Sequence, residues 1–410
     1  MYQQVFSLML VMLVLNFSVE LSEGLWPLSF PLAMGVMTGG YALCLGLIYL
    51  QNRKLHLRLS QMSLLVHLEL IIYFIVCFLV IGVQTHFSPW LHSLTILSLM
   101  SMVLYFFALG FFRYTFERAP QNRWPKAKGQ VLFLVPFLLP YFALTGFLDL
   151  FGELDDIAMT VFTALILVLS LLFLPFFLQK FWQCTPLPDD ELHRKLEEIC
   201  KRAHFKHGGM KIWTVMGSAM TAAIVGLLPR FRYVMFTPNL LKMLAPEHIE
   251  AILAHEIGHS KHHHLAFYPF IILGMMVSVG LFFEIAGSFI DYAVEPIFVF
   301  IPYALIVWLY FRYIFGYFSR LFERQADLYG FRLQMPPEQI MGALDHIAIA
   351  AGNIHHHPSW HHFGIGQRID YIKSVSEDRS LIAKHDRKVK LSLIIYFILL
   401  ILGIITLFWY

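Results

Sequence analysis

The residues whose types and spacing can do chemistry stand at His255-Glu256-Ile257-Gly258-His259. On a helix, side chains four apart fall on one face, so both imidazoles can hold one Zn²⁺. Glu256, one position on, then reaches a water activated by the metal and serves as its general base. Such a site needs a third protein ligand, for which a carboxylate is a usual choice, and an open fourth position. The run Ser319-Arg320-Leu321-Phe322-Glu323-Arg324-Gln325-Ala326-Asp327 offers Glu323 and Asp327. By spacing alone these are also an ordinary i, i+4 pair on a solvated helix face, just as the two histidines also suit a polar face near lipid headgroups. The elements that carry them decide between the readings.

Of the 410 residues, 58% are apolar and 14% charged, against roughly 45–50% and about 25% in soluble domains. A water-soluble core cannot hide that surplus, which places the chain in a bilayer. Apolar stretches suited to helical crossings run over 6–19, 26–50, 63–83, 91–112, 131–150, 160–178, 265–290, 296–318 and 391–410. The first lacks a basic residue in Met1-Tyr2-Gln3-Gln4 and a small-residue cleavage site before Glu20, so it reads as a retained anchor rather than a signal peptide. Arg53, Lys54 and Arg58 mark one loop as cytoplasmic, and Arg113, Arg118, Arg123, Lys126 and Lys128 mark another. Glu20, Glu23, Asp149, Glu153, Asp155 and Asp156 occupy the alternate, outer loops. Counting crossings puts the polar stretches 179–264 and 319–390 on the cytoplasmic side. An out-and-back hairpin therefore separates His259 from Glu323 and returns both to one membrane surface.

Within 188–205, Leu192, Leu196, Ile199 and Ala203 recur at helical spacing, ahead of a Gly208-Gly209 turn. Short β-like runs cover 210–216, 219–225 and 233–236, and a helix starts at Pro246 with Glu247 and Glu250 favouring its N-terminal dipole. The chain is thus mainly α: a polytopic membrane protein of about 8–9 crossing helices whose cytoplasmic part is α+β with a small sheet. Its expected divisions are 1–180, a membrane domain; 181–389, a catalytic domain interrupted by a hairpin at about 265–318; and 390–410, a last crossing. The location is the cell membrane or another intracellular membrane. With 30 Lys and Arg against 27 Asp and Glu, nothing recommends nucleic acid as a partner. Cys44, Cys77, Cys184 and Cys200 form no CxxC pair and read as small apolar fillers.

An HExxH helix entering a transmembrane hairpin, followed by SRxxExxAD on the next helix, resembles the membrane zinc metallopeptidase family of the HtpX proteases and the type I CAAX prenyl endopeptidases. The resemblance covers roughly 186–373 and implies a zincin-like catalytic domain holding one Zn²⁺ per chain. It implies His255, His259 and Glu323 as metal ligands, Glu256 as the catalytic base, and Asp327 as the partner that orients a ligand histidine. Thr221-Ala222 stand where the family often has Asn-Ala on an edge strand that receives substrate as an added strand; the Thr departs from that pattern, leaving the backbone pairing. A downstream His and, six residues later, an Arg correspond to His362 and Arg368, while the expected His-Pro pair is displaced to His357-Pro358. His362 would stabilise the oxyanion and Arg368 would hold it or the substrate. The implied partners are a membrane-associated or lipid-modified peptide or protein and the lipid bilayer. More than six crossings resembles the CAAX-protease plan more than the smaller HtpX plan.

Other classes have features to weigh. A membrane di-iron desaturase or hydroxylase is suggested by overlapping His255xxxHis259 and His259xxHis262His263, but its histidine boxes must be separate to build two metal shells. A zinc transporter needs ligands at bilayer depth, and these lie at the membrane surface. A relic site would not be expected to keep Glu256. His262, His263 and His264 read as headgroup-level polar residues rather than a second metal site, and His67 and Glu69, inside a crossing, either as a functional pair or as groups held by a mutual or lipid-cavity hydrogen bond.

Overall fold

The computed structural model describes residues 2–20, 24–55, 57–87, 94–151, 156–215, 219–287, 296–356 and 362–409. Glu23, Glu153, Asp155, His357, Pro358 and His361 lie outside the described residues. The chain divides into two units, Met1–Gln183 with Glu295–Ile301, and Cys184–Val294 with Pro302–Tyr410.

The first unit is helical: α1 (Tyr2–Glu20), α2 (Phe30–Lys54), α3 (Leu59–Phe74, continued by a π-helical turn over Ile75–Val80), α4 (Leu94–Phe116), α5 (Pro120–Phe151) and α6 (Asp156–Phe181). Several of its polar side chains bond across the bundle, where no water competes. The buried Tyr105 hydroxyl meets His67 Nδ1 at 3.1 Å, and Gln51 donates to Glu69, so His67 and Glu69 each bond a neighbouring helix rather than each other.

The second unit begins with β1 (Cys184–Pro186), α7 (Glu191–Arg202), β2 (Gly209–Trp213), β3 (Ala222–Val225), β4 (Tyr233–Phe236), α8 (Pro238–Met243) and α9 (Pro246–Lys261). It continues through α10 (His264–Gly287), α11 (Pro296–Tyr310), a π turn over Phe311–Phe315, α12 (Gly316–Asp327), α13 (Tyr329–Arg332), α14 (Pro337–Ala350), α15 (Ile365–Glu377) and α16 (Ser380–Trp409). Each of the nine apolar stretches is helical over most of its described residues. Among the described residues seven helices are long and apolar enough to cross a bilayer, while α1 and α6 contribute the shorter apolar runs Ser7–Asn16 and Leu172–Phe181.

The sheet has the order β1-β2-β4-β3, parallel between β2 and β4 and antiparallel elsewhere. β2, β3 and β4 correspond to the three expected β-like runs, with β2 starting one residue early at Gly209 and ending at Trp213. β1 is unexpected: three residues following an apolar helix carry no period of their own. At α7, Asp190 accepts the His193 N–H at 2.9 Å, a side-chain N-cap. Its Leu196, Ile199 and Cys200 enter one core with Val234 and Phe236 of the sheet and Ile249, Leu253 and Ile257 of α9. The four-residue spacing on α9 gives that helix one apolar face, so its histidines belong to another.

α16 starts well before the expected apolar stretch. Asp378 accepts the Ser380 N–H at 2.9 Å, and the first turns carry Lys384, His385, Asp386 and Arg387. Those turns serve the polar part of the unit: His385 is buried and donates to the Leu321 carbonyl at 3.0 Å.

α9 and α12 approach most closely at Gly258. A Cβ there would lie 2.8 Å from Tyr329 Cβ and 3.0 Å from Ala326 Cα. Gly to Ala in a helix interior ordinarily gains about 1 kcal/mol, but overpacking costs about 1–3 kcal/mol. Gly258→Ala is therefore expected to lower the thermal unfolding midpoint of the detergent-purified chain. A midpoint at or above that of the unsubstituted protein would contradict the close approach.

Candidate active site

α9 turns His255 and His259 toward α12, whose Glu323 reaches between them. His255 Nε2 lies 3.6 Å from Glu323 Oε2 and His259 Nε2 lies 3.4 Å from Oε1, with the two Nε2 atoms 3.2 Å apart. The three donor atoms all fall within 4.8 Å of one another. Two imidazoles and a carboxylate are the donor chemistry of a catalytic zinc site. The charge balance agrees with this choice. Glu256, Glu323 and Asp327 bring three carboxylates together against the Arg368 guanidinium, an imbalance that a divalent cation offsets.

The other ring nitrogen of His255 is held by the carboxylate expected to hold it: Nδ1 lies 2.9 Å from Asp327 Oδ1. Nδ1–H donating to Asp327 leaves the Nε2 lone pair free for a metal. Arg368, from α15, fixes Asp327 in turn through Nε to Oδ2 at 2.8 Å and Nη2 to Oδ1 at 2.5 Å. Such a fork sets the carboxylate plane as well as its place. The same guanidinium comes within 3.7 Å of Glu323 Oε2. Burial works against the Arg368 charge, yet Asp327, with Glu323 and Glu256 beyond it, holds the guanidinium above its ordinary value.

Glu256 shares this setting. Burial pushes its carboxyl up to about 7, with His255 and Arg368 pulling down and Glu323 pushing up. A carboxyl near neutrality can both take and return a proton. His362 lies just ahead of α15, one third exposed, with Nδ1 3.2 Å from Glu323 Oε2. The structure thus brings His255, His259, Glu323, Asp327, His362 and Arg368 into one cluster.

Thr221 and Ala222 lie at the start of β3, an edge strand that packs beside α9. Thr221 exchanges bonds with Thr237: its N–H donates to Oγ1 at 3.1 Å and its carbonyl accepts the Thr237 N–H at 3.1 Å. In an antiparallel ladder bonded and non-bonded pairs alternate, so Ala222, opposite Phe236, and Ile224, opposite Val234, turn their backbone groups to the free edge.

One nearby histidine does not behave as read from sequence. His264 is 1% exposed rather than at headgroup level, and its Nδ1 lies 2.9 Å from His259 Nδ1. The cause is local. α9 ends at Lys261, and His263 takes a left-handed conformation, φ 57°, which turns the chain so that His264 comes back over His259.

Asp327→Asn keeps the size of the group that orients His255 but removes its charge. It is expected to weaken binding of zinc by about 10–100-fold, measured by competition with a chromogenic chelator; undiminished affinity would count against the Asp327 contact.

Residues 186–371 match the family model described as Peptidase family M48. CAAX prenyl protease 1 of Saccharomyces cerevisiae is 27% identical over 203 residues, 42% of this chain and 44% of the relative's own length. The chain thus spans less than half of that relative in the match. The crystal structure of S. mikatae Ste24p superposes with a TM-score of 0.54 at 16% identity, covering 84% of this chain and 99% of that one, a likeness of fold. The HExxH helix and the later glutamate both fall inside the part of the chain that matches peptidase family M48, and the yeast relative and the likeness of fold to Ste24p support the membrane metallopeptidases of that family.

Proposed function

We propose that the chain is an integral membrane zinc endopeptidase that cleaves membrane-associated or lipid-modified proteins. The observation that carries this is the convergence of Glu323 on His255 and His259, with Glu256 beside them. One zinc per chain would be held by those three ligands. When bound, zinc supplies Lewis acidity, which makes water a nucleophile at neutral pH and polarises a carbonyl. Glu256 takes the proton that the water loses and hands it to the leaving amine. His362, beside Glu323, donates an N–H to the developing oxyanion. Arg368 acts through Asp327, keeping His255 aimed.

The substrate lies as an added strand along β3, pairing with the outward groups of Ala222 and Ile224. Backbone pairing reads peptides of varied sequence, so the Thr at 221 is compatible with it. Basic residues in the loops before α3 and α5 support a cytoplasmic catalytic domain. The name of the yeast relative suggests a prenylated C-terminal peptide as the first probe.

Purified full-length protein is expected to hold about one zinc per chain and to cleave casein or a prenylated peptide. Glu256→Gln should retain the metal while cleavage falls by about 10²–10⁴-fold. Iron in place of zinc, or unchanged cleavage by that variant, would overturn the reading. Ala222→Pro removes one outward N–H without removing a ladder bond. The loss of one hydrogen bond predicts a KM raised roughly 3–10-fold with zinc content unaltered; an unchanged KM would exclude β3 as the docking edge.

A further inference from the structure

We infer that His264, Gln325 and Asp386 form a directed hydrogen-bond relay that positions the second imidazole ligand, His259. The inference rests on the zinc centre proposed above and concerns residues that the reading so far leaves without a role. His264 Nδ1 lies 2.9 Å from His259 Nδ1, and His264 Nε2 lies 2.9 Å from Gln325 Oε1. Gln325 Nε2 donates to Asp386 Oδ1 at 2.6 Å, and Arg332 Nη2 donates to Asp386 Oδ2 at 2.6 Å.

One direction satisfies every link. A carboxylate only accepts, so Asp386 takes the Gln325 amide N–H, which turns the Gln325 oxygen to His264. That oxygen requires His264 to carry its proton on Nε2, leaving Nδ1 as an acceptor. His259 must then donate from Nδ1, the tautomer whose Nε2 lone pair points to Glu323 and His255. The charge of Asp386 is thereby felt at the metal-facing nitrogen through two neutral groups, each link polarising the next.

The relay gives the two ligand histidines matching supports. His255 rests directly on Asp327, which Arg368 anchors; His259 rests, through two intermediates, on Asp386, which Arg332 anchors. Asp386 lies on α16 and Arg332 on α13, so the relay ties the metal-facing side of α9 to the start of the C-terminal helix. His264 and Gln325 are buried, 1% and 7% exposed, where a broken link leaves a polar atom without water.

His264 also stacks on Phe322, with centroids 4.3 Å apart and planes 10° apart, so a packing role has to be separated from a positioning one. His264→Phe keeps an aromatic ring and removes the acceptor; His264→Asn sacrifices the ring and keeps an oxygen near the place of Nδ1. If the relay operates, zinc affinity of the full-length protein, by chelator competition, falls about 100-fold in His264→Phe, which removes the acceptor for His259, and about tenfold in His264→Asn, which keeps an acceptor but loses the link to Gln325. The reverse order, or no loss in His264→Phe, overturns it. Gln325→Leu, beside a cavity of about 520 Å³ that Gln325 and Asp386 line, breaks the middle link independently and is expected to weaken zinc about tenfold. Equal affinity in that variant also overturns the relay. A wild-type chain that binds no zinc would instead overturn the metal centre itself.

Discussion

The catalytic unit depends on one packing contact, that of α9 against α12. Neither helix holds the whole cluster: α9 brings two imidazoles and the proposed base, α12 the carboxylate that faces both imidazoles and the one that meets His255 Nδ1. Long apolar helices separate them in sequence, so their meeting is non-local and must be held by packing. Gly258 sits between the two histidines and lets the backbones come closer than any side chain would allow. On the opposite face Ile249, Leu253 and Ile257 bind α9 to the sheet and α7, so the helix cannot retreat from α12 without opening its own core.

Such closeness concentrates charge. Isolated carboxylates in a partly dry site would neutralise themselves by taking up protons, and a neutral Glu323 would be a poor ligand. The countercharge is distributed with discrimination. Arg368 forks onto Asp327 and leaves Glu323 at a longer distance, so the orienting carboxylate is saturated while the ligand keeps lone pairs to offer. Burial raises the proton affinity of Glu323, Asp327 and Glu256 alike, but only in Glu256 does it outweigh the neighbouring charges and hydrogen bonds. Three carboxylates of similar intrinsic acidity thus acquire three tasks from their surroundings.

What the sequence disclosed about this arrangement follows from how local each signal is. The HExxH helix and the apolar stretches that follow it were legible because helical spacing and apolar length are properties of contiguous residues, whereas Glu323 stood out only through the family pattern SRxxExxAD. Arg368 was found only through a family spacing, and its grip on Asp327 could not be read, since α15 and α12 meet through the tertiary fold. His264 was misread: it adjoins an apolar crossing, and the left-handed turn at His263 that folds it inward has no signature in a run of three histidines. Gln325, Arg332 and Asp386 carry no motif at all. Each is a common surface type, and only burial and mutual distance distinguish them. The three-residue β1 and the early start of α16 were missed for a related reason, because both are stabilised by partners outside their own segment.

The placement of this chemistry has a consequence for what can be cut. α10 begins at His264, three residues past the end of α9, and α12 follows a π turn on from the apolar α11, so the donor cluster stands where apolar helices give way to the polar domain. Electrostatic interactions gain strength as water thins out, which favours the charged site but penalises a freely soluble substrate that must shed its hydration to enter. A chain already held at the bilayer by an acyl group or a membrane segment has part of its translational entropy removed beforehand. The edge of β3 then needs only to pair with backbone, and backbone pairing adds little selectivity for side chains. On the proposed reading, selection would fall on where the substrate is attached more than on its sequence.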